Sequence, residues 1–227
     1  MQAESVRALI SPEEIEQTLS LERFGRYREW AGGDAAYALE LYALNTRLSE
    51  ALYTPMQMLE VALRNRIHAV MSDTNHERWF EDEGFLALDI QRDQLAKAVE
   101  DIQKEKKETT AGRVVAALTF SFWTSMVSSP VYEPLWQKSL HRIATGENGK
   151  GLRRKDFSKP LTPIRVLRNR IAHHEPILHW NLRKHHTNIL RLTRWLSPVA
   201  AAWCEFYSRF EDVHPPGPIT LHEPISR

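Results

Sequence analysis

The sequence predicts an all-α fold, and three observations carry that prediction. Apolar residues recur at spacings of three and four through most of the chain. Ser-Pro, Thr-Pro and Gly-Gly pairs punctuate the pattern where helices would begin. No alternating segment joined to a tight-turn signal marks a β-hairpin. The 227 residues are 42% hydrophobic and 26% charged, a globular composition in a chain long enough to bury its own core. No apolar run approaches the roughly 18 residues a membrane-crossing helix needs. The opening stretch MQAESVRALISPEE lacks the basic-then-apolar order of a secretory leader. The one cysteine, Cys204, sits in the apolar stretch AAAWCEFY and has no partner for an internal disulfide. The expectation is a cytoplasmic protein with no membrane association.

The elements follow in order. Ser11-Pro12 before Glu13-Glu14 is a cap, a proline at the first helical position and an acidic first turn. Gly32-Gly33-Asp34 opens a helix carrying Tyr37, Leu41, Leu44, Leu48 and Leu52. Thr54-Pro55 repeats the start signal, and a further helix carries Met58, Val61, Ala62, Ile67 and Val70 to about residue 72. Residues 89–108 read as a charged, exposed helix with paired Lys and Glu. Residues 112–127, apolar and aromatic, read as one core helix. Helices are expected over 133–144, 160–174, 181–194 and 196–213, with a Gly- and Lys-rich loop at 145–158. The tail HPPGPITLHEP cannot hold a regular helix and is expected to be extended or mobile. The predicted organisation is an extension over 1–20, one all-α domain over 21–213 and a Pro-rich tail over 214–227.

The net charge of +1 hides an asymmetry. Residues 1–137 sum to −8, residues 138–194 to +11 and residues 195–227 to −2. Six of the 10 histidines fall in the basic stretch. A basic, His-rich segment fits a polyanionic partner such as nucleic acid, and equally fits packing against the acidic segment.

The densest polar chemistry is Arg168-Asn169-Arg170-Ile171-Ala172-His173-His174-Glu175-Pro176. At about 100° per residue, Asn169 and His173 share a helix face, and Arg170 and His174 share the next. Arg168 lies about 140° from His173 and joins it through its long side chain or a distorted last turn. Pro176 stops the helix. These groups suffice in principle to cleave RNA without metal. A neutral His takes the ribose 2′-OH proton, and a guanidinium stabilises charge on the attacked phosphate. Spacing alone leaves a solvated helix cap as the commoner reading.

The string LRNRIAHHEPI resembles the Abi-like (abortive infection) family of the HEPN superfamily, whose motif is R-x(4–6)-H. Glu60, Arg64 and Asn65 resemble that family's upstream E-x3-R-N helix. Gly112-Arg113-Val114-Val115 with 119–125 resembles its aromatic segment, and 132–136 the stretch that follows. The resemblance spans roughly residues 20–200. It implies a HEPN-like helical bundle, here with additional N- and C-terminal helices, that often pairs as a homodimer. It also implies a metal-independent endoribonuclease of anti-phage or toxin–antitoxin systems, leaving 2′,3′-cyclic phosphate and 5′-OH ends. Carried over, Arg168 and His173 are the catalytic pair and Asn169 supports them. Glu60, Arg64, Asn65, Arg170 and His174 are possible support, with Glu60 and Arg64 spaced for a helical ion pair. Arg168-x5-His174 also satisfies the general motif, so His173 and His174 both stand as the base.

Other features have blander readings. The histidine spacings fit no standard zinc pattern, so neither a metal nor a cofactor is expected. Arg153, Arg154 and Lys155 form a basic loop that steers RNA or is merely solvated. Arg183 and Lys184, with His185 and His186, form a basic helix face that meets phosphate or water. Phe120, Phe122, Trp123, Trp136, Trp195 and Trp203 read as core or dimer interface rather than a base-stacking platform. The expected partners are RNA, a second copy and an antitoxin or regulatory protein. The alternative is a non-catalytic RNA-binding or protein-interaction module.

Overall fold

A computed structural model describes residues 11–147 and 149–222, and within them the chain is all-α. The helices are α1 (Pro12–Leu19), α2 (Leu21–Trp30), α3 (Ala35–Thr74), α4 (Asp89–Lys104), α5 (Ala111–Ala117) and α6 (Phe120–Ser128). They continue as α7 (Glu133–Lys138), α8 (Arg154–Ala172), α9 (Leu182–Leu196), α10 (Pro198–Tyr207) and α11 (Phe210–Val213). Among the described residues the only extended pairing is an isolated bridge between Thr145 and Gly151. The first ten residues of the expected 1–20 extension and the last five of the tail lie outside the described residues.

Local chemistry explains the boundaries. The Ser11 side chain accepts from the Glu14 N–H, as the cap reading requires. The Thr54-Pro55 signal does not start a helix, because α3 runs through Pro55. An internal proline costs about 3 kcal/mol. Burial of Leu48, Leu52, Met56 and Leu59 on either side offsets it. The expected single helix over 112–127 is two. Leu118 turns extended and Thr119 caps α6, its hydroxyl accepting from the Phe122 N–H. Helix α8 begins at Arg154 rather than at Pro160, shortening the 145–158 loop. Arg154 anchors that first turn on the carbonyls of Val127, Ser128 and Ser129 and on Glu133. The expected helix over 133–144 is α7 followed by a 3-10 turn, Leu140–Ile143. The one expected over 196–213 is divided into α10 and α11.

Contacts gather the chain into two compact units. One comprises the chain up to Tyr53, Asn169–Arg183 and the segment from Ser208 on. Its core holds Phe24, Tyr27, Trp30, Leu41 and Leu48, with Tyr27 edge-on to both Trp30 and Tyr42. The tail is extended, as expected, and it is tied down. The Tyr37 hydroxyl donates to the Thr220 carbonyl, and the His222 N–H donates to the Trp30 carbonyl, each at 2.9 Å.

The other unit comprises Thr54–Arg168 and Lys184–Tyr207. Its core is built on Leu59, Leu63, Ile67, Trp79, Trp123, Trp136, Phe157, Leu161 and Ile164. Phe122 and Trp123 pack edge to face at 4.9 Å between ring centres. Gln91 is fully buried and donates to the Phe122 carbonyl, which is how an otherwise charged α4 is fastened.

Candidate functional site

Arg168 stands in the last turns of α8, among apolar residues Leu161, Ile164 and Leu167 that are buried at helical spacing. Its own side chain is 40% exposed, and its Nε lies 3.4 Å from a carboxylate oxygen of Glu60 on α3. Glu60 therefore reaches Arg168, and the expected Glu60–Arg64 pair is replaced. Arg64 instead donates to the Ala116 carbonyl at 3.3 Å. Its neighbour Asn65 is exposed. Arg66 donates to the carbonyls of Ile143 and Arg142.

The residues after Arg168 show how the helix ends. The His173 N–H still donates to the Asn169 carbonyl at 3.0 Å, so His173 keeps the helical register with Asn169. The Glu175 N–H donates to the Arg170 carbonyl and the His174 N–H to the Ile171 carbonyl. That pair of bonds is a Schellman closure, and it puts His174 in the left-handed region at φ 57°. The two histidines are thus not equivalent. His173 continues the face that Asn169 begins, while His174 leaves the helix. Both side chains are exposed.

Two arginines secure this turn. Arg23 of α2 donates to the carbonyls of His173 and His174 at 2.9 and 3.2 Å. Arg170 donates to the Pro176 carbonyl and pairs with Glu175 at 3.1 Å. Arg170 is therefore committed to closing the turn. Arg23 was missed because it lies 150 residues from its acceptor, and no local pattern marks it. His179 follows, its ring tilted against that of Trp30 with centres 5.5 Å apart. Burial, then the charges of Arg170 and Arg26, hold its pKa below the ordinary histidine value.

The other basic candidates separate by environment. Arg154 is buried and its bonds go to Glu133 and three carbonyls. Arg153 is exposed and pairs with Asp156 at 2.7 Å. Lys155 is exposed and, with Lys159, His141 and Arg153, lines a cleft of about 780 Å³. Arg183 pairs with Glu211 and donates to the Pro215 carbonyl, and Lys184 is exposed. His185 and His186 do not join them on an exposed face. Both are buried, on the stripe of α9 that also buries Ile189, Leu192 and Leu196. Burial lowers the His185 pKa. The Cys204 thiol is pushed up to about 11 by burial, which removes it as a nucleophile.

Among the described residues, no three His, Cys, Asp or Glu side chains are grouped to hold a metal ion. Among them, too, no helix is long and apolar enough to cross a membrane. No curated protein matches the chain, and no solved structure does. The model of the Abi-like protein family matches residues 15–181, well over half of the 227. That span takes in the upstream Glu60-x3-Arg64-Asn65 helix and the Arg168–His173 string, and the chain belongs to the Abi-like protein family.

Proposed function

We propose that this chain is a HEPN-type, metal-independent endoribonuclease serving abortive infection or toxin–antitoxin defence. The observation that carries the reading is the contrast at the end of α8. Arg168 keeps part of its guanidinium open beside Glu60. His173 is exposed and in register with Asn169. His173 follows directly on the last residue of α8, five residues after Arg168.

In the proposed reaction, a neutral His173 removes the proton from a ribose 2′-OH, and the 2′-oxygen attacks the adjacent phosphorus. The bond to the 5′-oxygen breaks, and that oxygen takes a proton from solvent. Arg168 stabilises the negative charge that gathers on the phosphate oxygens. The products are a 2′,3′-cyclic phosphate and a 5′-OH end, and DNA, lacking the 2′-OH, is not cut. Glu60 orients Arg168, and Asn169 supports His173. The left-handed backbone at His174 favours His173 as the base. The partners proposed with this reading are RNA, a second copy of the chain and an antitoxin or regulatory protein.

A second reading, RNA binding without cleavage, is favoured by the cleft that Lys155 and Lys159 line. It predicts affinity that falls steeply with salt and no product. Incubation of labelled RNA with the protein at two salt concentrations separates the readings. Cyclic-phosphate products support the nuclease. Salt-sensitive binding with intact RNA contradicts it.

A further inference from the structure

Among the described residues, eight large apolar side chains are exposed, and four of them stand on one helix, α10. Val199 and Phe206 are each 80% exposed, Trp203 45% and Tyr207 55%. Their spacing of four, three and one residues places all four on one stripe of the helix. The opposite stripe, Ala201 and Cys204, is buried and seats the helix on its own unit. The exposed rings are packed on each other. Trp203 and Tyr207 lie 4.7 Å apart between centres, and Phe206 and Tyr207 lie 4.8 Å apart. This face is therefore an ordered apolar surface rather than scattered single residues, and such a surface marks an interaction site.

We propose that this face of α10 is where two copies of the chain meet. The inference rests on the dimer part of the proposed function and is independent of the nuclease chemistry. Two observations select a second copy as the occupant. The first is area. With aromatic side chains of roughly 150–250 Å², the stripe offers on the order of 500 Å² per copy. Two stripes facing across a twofold axis then bury about 1,000 Å², the size at which a specific interface begins. The second is charge. Glu205, the one charged residue of α10, already pairs with Arg194 on α9. The stripe thus presents nothing ionic to a partner, and its best match is another apolar face such as its own. An anionic lipid surface would call for cations along this helix, and α10 has none.

Sedimentation equilibrium of the full chain tests this, with Val199→Glu, Phe206→Glu and Ile90→Glu beside the wild type. Ile90 is also exposed, at 63%, but on α4. Wild type and Ile90→Glu are expected to be dimers. Each stripe substitution is expected to raise the dimer dissociation constant about tenfold or more, with helical content and melting temperature kept. A dimer that neither stripe substitution weakens leaves the dimer reading standing and overturns this surface. A monomeric wild type at about 50 µM overturns both. Stoichiometric recovery with a different protein, lost in Phe206→Glu, also overturns the second copy as occupant.

Discussion

Arg154 and Arg168 stand near opposite ends of the same helix, and their surroundings assign them opposite work. Arg154 is 9% exposed at the side chain and spends its guanidinium on Glu133 and on three carbonyls at the end of α6. The carbonyls of Val127 and Ser128 have no donors within their own helix, so Arg154 acts as a helix cap delivered from another element. Arg168 is 40% exposed and meets one carboxylate at 3.4 Å. A guanidinium carries five N–H donors in a rigid fork; Arg154 commits both its Nε and its Nη1 to protein acceptors, whereas Arg168 meets a single carboxylate, so Arg168 retains more donors for a phosphate. Position in a basic segment says little about role. The number of donors already used says more.

Five substitutions break or sharpen that contrast, from the largest expected effect to the smallest. His173→Ala and Arg168→Ala are expected to lower RNA cleavage by about 10²–10⁴-fold. Their unfolding free energies, from urea titration, are expected to change by less than about 0.5 kcal/mol, because both side chains are open to solvent. Arg154→Ala is expected to do the reverse. Removing it strands the carbonyls of Val127 and Ser128, costing about 2–4 kcal/mol in the same titration. A wild-type melting curve for that variant would break the comparison.

Glu60→Gln keeps the shape and removes the charge beside Arg168. The pair is partly exposed and spaced at 3.4 Å, so stability should move by about 1 kcal/mol or less. Cleavage should fall a few-fold, chiefly in kcat, as Arg168 loses its orientation. An unchanged kcat would remove Glu60 from the account. His174→Gly relieves a left-handed backbone at a residue with a side chain. Set against the greater freedom of glycine when unfolded, the net gain is about 0.5 kcal/mol. With His173 as the base this variant still cuts RNA, and loss of cleavage would reassign the base to His174.

Local signals in the sequence told where most helices lie and failed where tertiary contacts outweighed them. Ser11-Pro12 works as a start because nothing else competes for that turn. Thr54-Pro55 carries the same signal and starts nothing, since its flanks bury an unbroken apolar stripe. Thr119 was hidden inside an apolar run, although a Thr three residues before a free helical N–H is a legible cap. Arg154 begins α8 earlier than Pro160 would, held by partners that are distant in sequence. His185 and His186 look polar but occupy the buried positions of their helix, which the three-and-four spacing from Leu182 already marked.

The candidate site divides in the same way. The Arg168–His173 string and the Glu60 helix were legible as local patterns. That Glu60 turns to Arg168 instead of Arg64 depends on packing between α3 and α8, which no spacing rule encodes. Arg23 at the His173 and His174 carbonyls is the same kind of long-range contact. The left-handed His174 was obscured because glycine is the usual residue there.

The measurement that bears most directly on the central claim is cleavage of a labelled mixed-sequence RNA in EDTA, with Arg168→Ala and His173→Ala beside the wild type. The account predicts fragments with 2′,3′-cyclic phosphate ends from wild type and intact RNA from both variants. Undiminished cleavage by a pure His173→Ala preparation, or wild-type cleavage only after a divalent metal is restored, would contradict it.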